Sequence, residues 1–333
     1  MNFEQLWNEW ADSDQFSGVF SVSDESSVIY EKCCGYRNRS ERLPNNKNTA
    51  FSIASGTKLF TGLAVCKLID ENKLKLDKKL CEILPYNLGQ IDNRVTVFHL
   101  LTHTSGIGDY IDEESENSIE QLQSLYNQYP SYLWERLEYY LQMITPLPPK
   151  FEVGKRYGYS NSGFVLLGLV VETVSSVSYQ KFVTENIIKP LKLSHTGFYR
   201  MDSLPKNTAL GYMENGRTNI FSLPVIGGSD GGLFTCSSDL DLLWRALFSN
   251  KILSKKMLEI FLKQQAVIND YESYGLGVYR CNIDNKLVYY AVGGDFGVDF
   301  FTAYLPKHKV VISALGNTEI DTYPLMEAVV SLL

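Results

Sequence analysis

Two short groupings in this 333-residue sequence carry side chains of the types and spacing that do chemistry. In the first, Ser55-Gly56-Thr57-Lys58 lies where a strand-like run, Phe51-Ser52-Ile53-Ala54, gives way to an amphipathic helix. Three residues make nearly one helical turn, so Ser55 and Lys58 project from one side of the helix start, the amine within reach of the hydroxyl. A helix N-terminus adds partial positive charge and free N–H donors, which suit an alkoxide and an oxyanion. The chemistry expected is that of an activated serine nucleophile. Taken alone, Ser-x-x-Lys is a common pattern, and a serine at a helix start is ordinarily a cap.

The second grouping, Tyr159-Ser160-Asn161, places a phenol and an amide two residues apart on an extended segment just ahead of an apolar helix. A lysine ammonium about 4 Å from a phenol oxygen favours the phenolate by about 4 kcal/mol at an effective dielectric near 20, roughly three pKa units. Tyr159 could then serve as a general base, desolvation returning part of the gain. The plainer alternative is a buried tyrosine with a satisfied hydroxyl. Two other patterns fail on context. Gly227-Gly228-Ser229-Asp230-Gly231 fits G-x-S-x-G, but no helix follows Ser229 as a nucleophile elbow requires. His99 and His103 lie four apart without the Glu of a zinc-binding H-E-x-x-H. No metal and no cofactor is expected.

The elements that must position these groups read as an α+β chain. Residues 17–36 alternate apolar and polar around Ser23-Asp24-Glu25, a β-hairpin signal. Tyr274–Arg280, Leu287–Val292, Asp299–Leu305 and Val310–Leu315 are strand-like, and the short turns between them predict antiparallel pairing. Between the two ends the period becomes 3.6: Leu59, Leu63, Cys66 and Ile69 mark one helix, 164–174 another, and 240–247 a third behind a cap at Ser238. The expected architecture is an antiparallel sheet flanked by terminal helices at 3–11 and 323–333, with a large, mostly helical inserted domain. The sheet domain takes 1–58 and 271–333, the helical domain 59–270, and the active site lies in the cleft between them. The acidic run Asp112-Glu113-Glu114-Ser115-Glu116 and the tyrosines at 126, 129, 132, 139 and 140 read as a solvated loop and a packed aromatic face; alternatively, some of these tyrosines wall a substrate cleft.

Composition narrows the function classes. With 44% hydrophobic and 21% charged residues the chain is an ordinary globular protein, and a net charge of −7 argues against nucleic acid as a partner. No run approaches the ~18 apolar residues of a membrane span, so no membrane is expected as a partner. The first ten residues, MNFEQLWNEW, lack the basic and apolar regions of a secretory signal, and the six scattered cysteines contain no C-x-x-C pair. A cytoplasmic location with reduced thiols is expected. No protein partner is inferred.

Four segments, Phe51–Lys58 (FSIASGTK), Thr96–Gly106 (TVFHLLTHTSG), Tyr159–Gly168 (YSNSGFVLLG) and Gly231–Leu240 (GGLFTCSSDL), resemble in order and spacing the serine β-lactamase and penicillin-binding protein family of the class C type. That family includes D,D-peptidases, D-aminopeptidases and carboxylesterases. The resemblance runs from about Gly18 to Asn317. It implies a β-lactamase/transpeptidase-like fold, Ser55 as the acyl-forming nucleophile, Lys58 as its activator, Tyr159 as proton shuttle, and Asn161 as a contact of substrate and Lys58. The family's third motif, a strand with Lys or His two residues before Gly, falls on Ala291-Val292-Gly293, where the basic residue is missing. The resemblance still implies that Gly293 and Gly294 line the substrate, with the Gly294 amide completing an oxyanion hole. What changes is recognition of a substrate carboxylate. Asp295 and Asp299 nearby could favour an amine, although they read first as surface turn aspartates. The function expected is a serine hydrolase acting on a small ester or amide; the alternatives are a β-lactamase, a D-amino-acid peptidase, or a non-catalytic ligand-binding protein of the same fold.

Overall fold

The computed structural model describes residues 2–333 apart from 11, 14, 116 and 117. Glu116, the last acidic residue of the run at 112–116, lies outside the described residues. The elements that matter for the site are α1 (Phe3–Glu9), β1 (Gly18–Ser23), β2 (Val28–Cys34), α2 (Thr57–Asp70), α3 (Asn161–Ser175) and α4 (Ser237–Phe248). Towards the C-terminus follow β3 (Ala266–Val267), β4 (Glu272–Tyr274), β5 (Tyr279–Ile283), β6 (Lys286–Asp295), β7 (Val298–Leu305), β8 (Val310–Gly316) and α5 (Tyr323–Leu332).

Among the described residues these eight strands form one antiparallel sheet, in the order β2-β1-β8-β7-β6-β5-β4-β3, and two further pairs of short strands lie outside it, one of them joining Phe51–Ser52 to Phe234–Thr235. The two ends of the chain meet where Gly18 pairs with Gly316 and Ser23 with Val311. Because side chains alternate across a strand, both faces must be covered if both are apolar. Phe20 and Val22 of β1, Phe301 and Ala303 of β7 and Ile312 and Ala314 of β8 face Leu6 and Trp7 of α1 and Met326 and Val330 of α5. Val19, Phe300, Val311 and Leu315 face the helical part of the chain. There Trp244 of α4 donates to Thr302 Oγ1 at 2.9 Å, and Thr302 and Ser313 share a bond of 2.8 Å, a buried polar clasp between helix and sheet.

Sequence and structure differ at three places here. The run at 274–280 is two strands, β4 and β5, joined by a turn at Gly277 with φ +99°, a value that periodicity does not reveal. The cap of α4 is Cys236, not Ser238; the Ser238 hydroxyl instead reaches Asn48 at 3.0 Å. The inserted part is helical only in pieces, since no helix is described between Lys192 and Phe234, and β3 starts before the boundary at 271. Among the described residues no single helix is long and apolar enough to cross a membrane.

α2 is buried on every side from Thr57 to Cys66, and it reaches the sheet backbone to backbone. A Cβ built on Gly62 would stand 2.3 Å from the Leu276 carbonyl oxygen and 3.1 Å from Gly277 Cα. α3 begins under a double cap. Asp109 accepts the amides of Asn161 and Ser162, one on each carboxylate oxygen, both at 2.8 Å, and Ser160 Oγ accepts the Gly163 amide at 3.1 Å. The two amides stabilise the Asp109 carboxylate, but burial dominates and raises its pKa to about 7.

These contacts give two expectations. Gly62→Ala gains helix propensity of about 1 kcal/mol but overpacks a backbone contact at about 1–3 kcal/mol. The thermal midpoint should therefore fall by a few degrees, and an unchanged or raised midpoint would show that no close contact exists. Asp109 binds its proton more tightly when folded (about 7) than when unfolded (about 4), so it penalises the fold fully above pH 7 and ever less as pH falls towards 4. Melting curves of the native chain and Asp109→Asn between pH 8 and 5.5 should show the difference in midpoint moving in favour of the native chain as pH falls; parallel curves would contradict this.

Candidate active site

Ser55 does not cap a helix: it lies in a 3₁₀ turn, Ala54–Gly56, just ahead of α2. Ala54 adopts φ +42°, a left-handed conformation that disfavours a residue with a Cβ by roughly 1–2 kcal/mol. The Ala54 carbonyl is fixed by Thr57 Oγ1 at 2.8 Å and the Gly232 amide at 3.3 Å, so neighbouring segments impose the turn. From the other side β6 presses against it. A Cβ on Gly293 would meet the Ile53 carbonyl oxygen at 2.2 Å and the Ser55 amide nitrogen at 2.8 Å, whereas one on Gly294 would meet nothing within 4 Å. Gly293 thus brings β6 against the Ser55 turn, and Gly294 faces open space.

Two donors converge on the Ser55 hydroxyl. Lys58 Nζ donates to Ser55 Oγ at 2.9 Å and the Tyr159 hydroxyl donates to it at 2.8 Å. Lys58, only 3% exposed, spends its other two hydrogens on Asn161 Oδ1 and the Asp230 carbonyl, each at 2.7 Å. A buried ammonium with three donors and three acceptors is fully satisfied. Burial pushes its pKa down, and the charges of Asp230, Glu113, Asp109 and Asp295 pull it part of the way back. Asn161, at the start of α3, is held in turn by the Glu113 carboxylate, which accepts its Nδ2 at 2.9 Å.

Tyr159 differs from the sequence expectation. Its phenol pKa lies well above the ordinary value, first through desolvation and then through the charge of Glu113. The Lys58 ammonium sits 4.9 Å from the ring centroid and bonds other acceptors, so it does not pair with the phenol oxygen. Tyr159 is therefore a neutral donor in the resting site. Beneath it lies His103, with ring centroids 4.7 Å apart. His103 Nδ1 accepts the Ser160 amide at 3.0 Å, and burial together with Lys58 keeps the imidazole neutral. His103 supports the Tyr159 segment, while His99 closes a capping box with Thr96. Ser229 is completely buried, with Oγ 3.5 Å from the Val165 carbonyl, and its own carbonyl accepts Thr61 Oγ1 at 2.6 Å.

Ser55 stands between two cavities. One, of about 360 Å³, is walled by Tyr126, Trp134, Tyr140, Tyr199 and Phe234, with Asn161 and Gly294 at its inner end. Two of the five tyrosines at 126–140 thus line the cleft, whereas Tyr132 and Tyr139 are exposed. The other, of about 520 Å³, holds Lys58, Tyr159, Tyr157 and Ala291, together with Glu272, Asp299 and Asp321. Asp299 is not a surface turn residue: it lies on β7 bonded to Thr322, and desolvation raises its carboxyl to about 7. Asp295 is exposed at the end of β6, next to the turn at Phe296–Gly297 as the sequence suggests, and also lines the first cavity. Asp109, Glu113, Asp230 and His103 were missed as site residues. Only His103 and Asp109 had a local signal, lying in and just after the TVFHLLTHTSG segment.

Comparison with known proteins bears on family and fold. A family model described as Beta-lactamase matches residues 3–327. The solved structure of a penicillin binding protein from Bacillus halodurans superposes with a TM-score of 0.91 at 36% identity, covering 100% of both chains. A D-stereospecific amidohydrolase from Streptomyces sp. gives 0.80 at 25% identity, over 96% of this chain and 95% of the other. Protein flp of Staphylococcus aureus is 31% identical over 206 residues, 61% of this chain but only 39% of flp, so the match spans about two fifths of that relative. A family model matched almost end to end, and a fold shared over its whole length, place this chain in the Beta-lactamase family.

Proposed function

We propose that the protein is a serine hydrolase that works through an acyl-enzyme on Ser55, acting on small esters or amides and discriminating against substrates that carry a carboxylate. The observation that supports it is the convergence of Lys58 and Tyr159 on one serine oxygen, 2.9 and 2.8 Å away, at the junction of two cavities. In its neutral form Lys58 accepts the Ser55 proton as Oγ attacks the carbonyl carbon, and the backbone amides of Ser55 and Gly294 receive the oxyanion. Tyr159 gives its proton to the leaving oxygen or nitrogen as the carbonyl bond to it breaks, leaving a phenolate beside the Lys58 ammonium. Water then attacks the ester on Ser55 as the Tyr159 phenolate takes its proton, and Lys58 returns a proton to Ser55 Oγ as the acyl group leaves as the acid, which restores both groups. Asn161 holds the lysine in register throughout.

The discrimination against carboxylates follows from Ala291. It lines the leaving-group cavity where a strand cation would stand, and Lys58 is the single basic residue among the residues lining either cavity. A charge-assisted hydrogen bond contributes about 1.5–3 kcal/mol, so β-lactam turnover should be weaker by roughly 10–150-fold than with a cation present.

A fluorophosphonate should label the native protein once, Ser55→Ala should abolish the label and Ser229→Ala should keep it; a label that survives Ser55→Ala would refute the assignment. Short p-nitrophenyl esters should be hydrolysed and nitrocefin poorly, with Ala291→Lys raising the nitrocefin-to-ester ratio. Efficient nitrocefin turnover by the native chain would refute the substrate reading. Because the active form of Lys58 is the free amine and burial lowers its pKa, kcat/KM for esters should rise with pH along a limb that ends below the ordinary lysine value of about 10.4. Tyr159→Phe should lower acylation by about 10²–10⁴-fold.

A further inference from the structure

The two cavities that meet at Ser55 have different occupants if the acyl-enzyme reading holds, and this inference rests on it. Tyr159, the proton donor to the leaving group, lines only the larger cavity, so the leaving group departs there. The acyl group must then lie in the other cavity, beside Asn161. Its walls are aromatic: the Trp134 ring centroid is 5.2 Å from that of Tyr140 and 5.4 Å from that of Tyr126, and Phe234 pairs with Tyr199 at 5.4 Å. Set into this apolar lining are four carboxylates, Glu113, Asp230, Asp295 and Glu319, and no Lys, Arg or His.

Among the described residues none of these four carboxylates forms an ion pair. Asp230 is 7% exposed and bonds the Tyr110 hydroxyl through one oxygen, and Asp295 takes only the amide of Phe296, at 2.8 Å. Of the four only Asp230 is buried; Glu113, Asp295 and Glu319 are exposed, and with one bond each the carboxyl groups of Asp230 and Asp295 keep further acceptor sites. Among the described residues no three of them converge to hold a metal ion. Aromatic faces beside unpaired carboxylates attract an organic cation through both ring quadrupole and charge.

We infer that this cavity receives an apolar acyl group carrying an ammonium, held between the aromatic walls and the carboxylates of Asp230 and Asp295. An acyl group that ended in a carboxylate would meet acidic side chains and no Lys, Arg or His in this lining.

The test uses three p-nitrophenyl esters on the same six-methylene chain: 7-aminoheptanoate (ammonium), octanoate (methyl) and the monoester of suberate (carboxylate). The charge lies far from the carbonyl, so intrinsic reactivity stays similar, and each rate is divided by that with hydroxide. The ammonium ester should exceed octanoate in kcat/KM by about tenfold or more, and the suberate ester should fall below octanoate by a similar factor. The ammonium preference should shrink in 0.5 M NaCl and collapse in Asp295→Asn. The salt series needs no variant, so misfolding of Asp295→Asn leaves it intact. Octanoate turnover through Ser55 that equals or exceeds that of the ammonium ester would overturn the inference and leave the hydrolase reading standing. If no ester turns over and Ser55 takes no fluorophosphonate, the hydrolase reading fails. Calorimetry with 7-aminoheptanamide and octanamide then decides for the cavity, equal affinity overturning the inference.

Discussion

The buried ammonium of Lys58 is the constraint on which the rest of the site depends. Stripping an ion of water inside a protein is tolerable only when every donor finds an acceptor, and here the three acceptors come from three parts of the chain: the turn before α2, the start of α3, and the segment ahead of α4. The charge therefore acts as a joint. Moving any of the three segments leaves an ammonium hydrogen unpaired in a low-dielectric interior, so the arrangement that holds the fold around Lys58 also sets Ser55 and Asn161 relative to one another.

The carboxylates around that joint have opposed effects. Asp109, Asp230 and Glu113 favour the ammonium electrostatically, but their own burial raises the pKa values of Asp109 and Asp230, so part of the negative charge is held back by protons. Lys58 keeps an intermediate character, charged enough to polarise Ser55 and desolvated enough to lose a proton. Tyr159, with no counter-ion at its oxygen, stays protonated. Two groups whose environments push their proton affinities in opposite directions stand within hydrogen-bond reach of the same serine, and the proposed mechanism draws on that difference.

Much of this was legible in the sequence because the pieces with chemistry are local. Ser55 and Lys58 are one turn apart, Tyr159 and Asn161 lie two residues apart at the entry to α3, and short turns join neighbouring strands of the sheet. What escaped was decided across long separations. The raised pKa of Tyr159 depends on burial and on Glu113, neither of which a residue two places away can report. Asp109 precedes the helix it caps by about fifty residues, and Asp230 serves Lys58 through its main-chain oxygen, which any residue type possesses. The turn at Gly277 was invisible because strands β4 and β5 share the aromatic, β-branched composition of a single strand.

Gly293 has a bearing on the order in which the chain matures. Ser55, Lys58, Tyr159 and Asn161 have all been synthesised by residue 161, yet the strand that presses against the Ser55 turn arrives only at β6, and the place beside β1 is filled by β8, some three hundred residues after its partner. Such distant pairing forms late, because loop closure must be offset by contacts that exist only near the end. A growing chain therefore carries its serine, lysine, tyrosine and asparagine before the strand that packs against the Ser55 turn exists, and a fragment that stops short of β6 lacks one wall of the site.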